Sequence, residues 1–280
     1  MNENQKPTTK TRIYNLIVLD KSGSMGCIRH AAFSGCNEVL GGIKAAAKKY
    51  ADTQEHLVSL MLFDTESMPY ILDMVPAADV QFMKLEQFVP CAGTPLLDAI
   101  GMSLTRLEAQ VKTHERAIAS VTIITDGYEN ASTEYNAQQI HQLIGRLKEK
   151  EGWNFAFMGA NQDVTKVSIE LNIDVQNARE FEFSHHGAQD AFSAYKEGHL
   201  DFCCAMADAD QCISENVSDE DGGRRQRRPD GSHRRRHYDP HGCGKYPHRR
   251  PCDPGCHCHA LQGGGRPRDL LRSGRQRGER

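Results

Sequence analysis

Apolar positions recur along the chain in two alternating rhythms, and the alternation predicts the elements. Ile13 to Leu19 is an apolar run ended by Asp20, the pattern of a central strand in a parallel sheet covered on both faces. From Ile28 to Lys49, Phe33, Cys36, Leu40 and Ile43 recur at intervals of three and four, which predicts an amphipathic helix against that sheet. Leu57 to Phe63 reads as the next strand and Tyr70 to Val75 as a short edge strand. A second helix opens at Thr94-Pro95 and carries Leu97, Ile100, Leu104, Leu107 and Val111 on one face.

The rhythm then repeats. Ala119 to Thr125 is another buried strand, and Thr133 is read as the N-cap of a third helix striped by Ile140, Leu143, Ile144 and Leu147. Trp153 to Met158 returns to the sheet. A short helix over about Asp163 to Leu171, a weak strand near Phe181 to Phe183 and a last helix from Gly187 to about Glu197 complete the series. Strands alternating with helices of this length require right-handed crossovers, so the expected class is α/β: a doubly wound, mostly parallel, Rossmann-like sheet flanked by helices. In that class ligands sit at the carboxyl ends of the strands.

Composition divides the chain. The net charge is −3 over 280 residues, but Gly222 to Arg280 holds fifteen Arg, one Lys and five acids, 16 − 5 = +11, which leaves −3 − 11 = −14 for the rest. We therefore expect residues 1–12 to be a disordered N-terminus, 13–200 to be the folded domain, and 201–280 to be a disordered, basic Arg/Gly/His/Cys-rich tail. A GC-rich message read out of register yields such a composition, and the tail is read as a frameshift product; a nucleic-acid-binding arm is the alternative. The tail's Cys and His residues, including the C-x₃-C-x-C stretch Cys252, Cys256, Cys258, do not follow a paired zinc-knuckle spacing. The polar N-terminus and the absence of a run of ~20 apolar residues argue for a cytoplasmic chain with no membrane span. Cysteines without framework spacing fit reduced thiols; Cys36 and Cys91 read as small buried apolar residues, and Met61, Met102 and Met158 as core.

Three polar clusters fall where the expected topology makes one rim: Asp20-Lys21-Ser22-Gly23-Ser24 after the first strand, Gly93-Thr94-Pro95 before the second long helix, and Thr125-Asp126-Gly127 after the Ala119 strand. The set combines two carboxylates with three hydroxyls. Such oxygens suit a small hard cation, since Mg²⁺ takes six oxygens and keeps several waters. With two negative charges only, a bound ion would keep positive character toward solvent. Gly23 and Gly127 are expected to let the loops turn at positive φ, and Lys21 to point away from the ion.

In this order, D-x-S-x-S, Thr and Asp resemble the metal-ion-dependent adhesion site of the von Willebrand factor type A family, over roughly Ile13 to Glu197. T-P-L-L-D-A-I and I-I-T-D-G strengthen the resemblance. It implies that Asp20, Ser22, Ser24, Thr94 and Asp126 hold Mg²⁺ or Mn²⁺, with Ser22 and Ser24 direct and the two Asp often through water. It also implies that the ion grips an Asp or Glu of an unidentified partner protein, so that the chain is a binding or adaptor module.

Each element alone has a plainer explanation. Ser22 and Ser24 could cap the first helix, Thr94-Pro95 looks like an N-cap with a first-turn proline, and Asp126-Gly127 is an ordinary turn. Asp64, Glu66, Glu129 and Asn130 could border the rim and discriminate among partners, or simply be solvated, and His185-His186 reads as a helix entry. The rival function is a Mg²⁺-dependent phosphatase or phosphotransferase of haloacid-dehalogenase type, which also places an Asp after its first strand. That chemistry needs a second acid two residues on, where this chain has Ser22, so no enzyme is expected.

Overall fold

Thr11–Asp20 (β1), Gln54–Phe63 (β2), Tyr70–Pro76 (β3), Ala117–Thr125 (β4), Asn154–Gly159 (β5) and Ala178–Glu180 (β6) pair into one sheet in the order β3-β2-β1-β4-β5-β6. The computed structural model describes residues 10–160, 163–181 and 195–207. All pairings are parallel except β2 with β3. Arg29–Lys49 (α1), Leu96–Val111 (α2), Ala137–Glu151 (α3), Val164–Glu170 (α4) and a helix over 195–207 (α5) cover the two faces. The fold is the α/β, Rossmann-like class that the alternation predicts. Among the described residues, no helix is long and apolar enough to cross a membrane.

The period-two alternation of β1 explains why it lies at the centre. Tyr14, Leu16 and Val18 face one core with Ile100, Leu104, Ile140, Ile144 and Val164 of α2, α3 and α4. Ile17 and Leu19 face the other, built largely by Cys36, Val39, Leu40 and Ile43 of α1. Each fully buried Leu or Ile is worth about 2 kcal/mol, so a strand that buries both faces is held by packing rather than by its backbone alone.

Several boundaries differ from those the pattern predicts. The third helix begins at Ala137, capped by Asn136, whose Oδ1 accepts the Gln139 N–H at 3.0 Å while Gln139 Oε1 accepts the Asn136 N–H at 2.9 Å. Thr133 is not the cap because the buried Asp98 carboxylate of α2 takes the N–H groups of Thr133, Glu134 and Tyr135 at 2.7 to 2.9 Å, holding them in a loop. The last strand lies at Ala178–Glu180, before Phe181, which is itself buried and donates its N–H to Gly159 O at 2.9 Å.

The folded chain also reaches further than 13–200. Thr11 is already in β1, and α5 runs to 207 because Tyr195, His199 and Cys203, four residues apart, are buried along one side. Met102 is half-exposed on α2 rather than core, and Cys91 is exposed while Cys36 is fully buried. The predicted helix start at Gly187, His185-His186, residues 1–9 and the tail beyond 207 lie outside the described residues.

Candidate metal centre

The strand register assembles the rim. β1 and β4 pair in parallel with Leu19 opposite Ile124, so Asp20 and Thr125 end their strands side by side. Thr125 Oγ1 donates to Asp20 Oδ2 at 2.6 Å, and the Ser22 N–H donates to Asp20 Oδ1 at 2.7 Å. One residue beyond β4, Asp126 Oδ1 accepts from Ser24 Oγ at 2.8 Å, and Ser24 Oγ lies 3.2 Å from Ser22 Oγ. Asp20, Ser22, Thr94 and Asp126 are buried, and Ser24 opens to solvent.

Thr94 comes from a separate loop that two backbone bonds fasten to the first: the Gly23 N–H donates to Ala92 O at 3.0 Å and the Cys91 N–H to Lys21 O at 2.9 Å. Gly127 marks where the three segments meet. A Cβ there would lie 3.2 Å from Thr94 Oγ1 and 3.4 Å from Ser24 Oγ. Neither Gly23 nor Gly127 has a positive φ, contrary to expectation; what position 127 requires is space, not left-handed backbone. All five of the oxygens' parent residues singled out in the sequence are thus brought to one rim.

The plainer readings of these residues fail on their hydrogen bonds. Ser22 stands at the N-cap of a 3-10 turn, Gly23–Ile28, without capping it through its side chain, and α1 behind that turn has Ile28 at its uncapped start. Thr94 does not cap α2 either; Pro95 holds that position. The first amides of α2 are served from the opposite loop, Leu97 N–H by Glu129 Oε2 at 2.9 Å and Asp98 N–H by Ser132 Oγ at 3.0 Å. The Thr94 N–H goes to Asn130 Oδ1 at 2.9 Å, which leaves its hydroxyl free of capping work.

Half-buried Glu129 and exposed Asn130 therefore both brace the rim through backbone amides. Glu129 Oε1 also takes the N–H groups of Ala131 and Ser132 at 2.8 and 2.6 Å. Asp64 is likewise committed: it is buried, paired with Lys21, and accepts the N–H groups of Glu66 and Ser67 at 2.8 Å each and the Cys91 thiol at 3.1 Å. Burial alone would raise its pKa, but Lys21 and these donors outweigh that and hold it below the usual carboxylate range. Lys21 is thereby drawn off the rim, and among the described residues Asp20 joins no ion pair. The sequence places Thr125 on the rim and Glu129 beside it without a bracing role for either, and gives no signal for Ser132; the register that seats Thr125 beside Asp20 supplies the first role.

The electrostatics ask for a cation. Burial, with a contribution from nearby Asp126, pushes the Asp20 carboxyl up to about 6 despite its Thr125 and Ser22 donors, and burial also raises Asp126. Neither carboxylate takes part in any ion pair among the described residues. Two partly buried carboxylates with three uncommitted or mutually bonded hydroxyls are the donor set a hard divalent ion prefers. A cleft of about 680 Å³ lies at the other end of the sheet, beside Gln54, His56 and Pro76.

No family model and no curated protein matches the chain. Among solved structures it is similar to proximal thread matrix protein 1 of the mussel byssus, at 14% identity and a TM-score of 0.46, over 70% of this chain and 47% of that one. It is also similar to manganese-loaded TRAP protein of Plasmodium vivax, at 16% identity and 0.42, over 66% and 71% of the two chains. The VWA domain of SpRpn10 matches at 10% identity and 0.43, over 65% and 93%. This chain spans about half the length of the mussel protein, and at these identities no activity or partner carries over from any of the three.

Proposed function

We propose that this chain is a metal-dependent protein-binding module, in which Asp20, Ser22, Ser24, Thr94 and Asp126 hold Mg²⁺ or Mn²⁺. The observation that carries the reading is that Ser22 and Thr94 stand at helix entries without capping them, while Ser24, 3.2 Å from Ser22, donates to Asp126, a carboxylate that, like Asp20, joins no ion pair among the described residues. The ion would supply a Lewis-acidic position open to a carboxylate of a partner's Asp or Glu. Thr125 and the Ser22 amide fix the Asp20 carboxylate, Ser24 fixes Asp126, and Asn130 and Glu129 hold the loop that carries Thr94. Exposed Ser24, beside the buried residues, marks the side from which a partner's side chain enters.

Binding rather than catalysis is favoured because Ser22 stands two residues after Asp20, where a phosphatase of haloacid-dehalogenase type needs an acid to protonate its leaving group. The test is calorimetric titration of the full chain with Mg²⁺ and Mn²⁺, beside Asp20→Ala and Asp126→Ala, followed by use of the immobilised chain as bait with and without EDTA. One ion per chain, lost in both variants, with acidic-peptide partners eluted by EDTA, is the expected result. A chain that binds neither ion, or that turns over p-nitrophenyl phosphate in a Mg²⁺- and Asp20-dependent manner, overturns it.

A further inference from the structure

The amino ends of the strands carry a second constellation, independent of the rim. His56 is opposite Ile13 in the β1–β2 ladder, seven residues before Asp20, or roughly 23 Å along the strand at 3.3 Å per residue. Above it, α5 presents His199 and Cys203 at i and i+4, the spacing that places two ligands on one side of a helix. His56, His199 and Cys203 are all buried, and one ligand atom from each lies within 4.8 Å of the others. Cys203 Sγ is 3.7 Å from His199 Nε2. Tetrahedral zinc, with bonds of about 2.1 Å to nitrogen and 2.3 Å to sulfur, sets its ligand atoms about 3.3 to 3.6 Å apart, so a contraction of about an ångström suffices.

The surrounding hydrogen bonds orient both rings as ligands are oriented. His199 Nδ1 meets Ser120 Oγ at 3.4 Å, so a proton on Nδ1 leaves the Nε2 lone pair directed at Cys203. His56 Nε2 meets Gln54 Oε1 at 3.0 Å, an acceptor, so the proton sits on Nε2 and the lone pair on Nδ1. The Asn15 amide nitrogen lies 3.4 Å from Nδ1, with its protons also directed to Ile13 O and Leu57 O at 3.2 and 3.1 Å. Asn15 Oδ1, also buried, has no hydrogen-bond partner among the described residues, and a buried polar atom so placed calls for one.

We propose that His56, His199 and Cys203 form a buried site for Zn²⁺ or an ion of the same nitrogen and sulfur preference, with an oxygen such as Asn15 Oδ1 or water as the fourth donor. Two nitrogen–metal bonds and one sulfur–metal bond form, and the Cys203 thiol proton leaves to solvent. The ion would tie α5 to β2, joining an element at the end of the described chain to the sheet's interior, which is a structural role. The rim described above offers oxygen alone, so the two sites differ in the metal they select.

Co²⁺ distinguishes the sites, because only a thiolate ligand gives a sulfur-to-cobalt charge-transfer band in the near ultraviolet. The full chain is titrated in a background where Cys212, Cys243, Cys252, Cys256 and Cys258, outside the described residues, are serine. One band-forming Co²⁺ per chain is expected, displaced by Zn²⁺, lost in Cys203→Ala, and retained in Asp126→Ala and Cys91→Ser. His56→Gln, with its circular dichroism unchanged, provides the same readout should Cys203→Ala disturb the fold. Absence of the band, or a band that survives both Cys203→Ala and His56→Gln, overturns the site whatever happens at the rim.

Discussion

Thr125 and Asp20 meet across the β1–β4 seam, hydroxyl to carboxylate, at 2.6 Å. Both end a buried strand, so the bond fixes the carboxylate's rotamer before any ion arrives. Thr125→Val keeps the shape and removes the donor. It should lower divalent affinity about tenfold, as loss of a ligand-orienting bond does, and cost about 1 kcal/mol of stability. Calorimetry and urea unfolding of the same variant measure the two effects separately.

The pH dependence of the metal-free chain follows from the Asp20 carboxyl, pushed up from 3.8 to about 6 by burial. Between those values the folded state binds more protons than the unfolded state, so stability falls as pH rises through that window. The contribution is about 3 kcal/mol at full ionisation, from about 1.4 kcal/mol per pH unit. In EDTA, Asp20→Asn should remove most of the loss seen between pH 4 and pH 7. Saturating Mg²⁺ should remove it in the unsubstituted chain. Urea midpoints across that range that do not respond to Asp20→Asn would contradict this account.

Gly127→Ala places a methyl 3.2 Å from Thr94 Oγ1 and 3.4 Å from Ser24 Oγ, without backbone strain. Both oxygens must give way by a few tenths of an ångström, so metal binding should weaken markedly while the melting temperature changes by only a few degrees. An unaltered affinity would show that the three segments meet more loosely than their distances indicate.

Asp98 gathers the N–H groups of Thr133, Glu134 and Tyr135 into one buried carboxylate. Asp98→Ala leaves three N–H donors without their acceptor; Thr133 and Glu134 are exposed, so water can replace part of it, and the total cost should be about 1 to 3 kcal/mol. Faster amide hydrogen exchange confined to residues 131 to 136, together with a lower urea midpoint, is the expected signature.

The sheet and the five rim residues were legible because each rests on local pattern: apolar runs for the strands, and polar clusters at the ends that topology brings together. What was not legible depends on distant partners. Thr133 looks like an N-cap until Asp98, on another helix, takes its amide. Glu129 and Asn130 look like solvated loop residues until the free amides of α2 and Thr94 are seen to need them. Met102 reads as core by its apolar side chain alone, yet it lies two residues from Ile100 and Leu104, off the helical stripe, and half of it faces solvent. His56, Asn15 and Cys203 gave no signal at all, since forty or more residues separate them in every pairing and only the β1–β2 register and the α5 packing bring them together.

The borders of the sheet bear on how a partner can approach. β6 spans three residues, and the β2–β3 ladder is broken twice, with Met74 at positive φ and its N–H turned to Ser59 Oγ. Neither border presents the long, regular row of free amides and carbonyls on which another chain's strand could be templated. Recognition by backbone pairing is thereby disfavoured at both sides, as is lateral stacking of copies into fibres. On the proposed reading, selectivity would fall to side chains at the strand ends, where a single residue's charge could decide which protein is admitted.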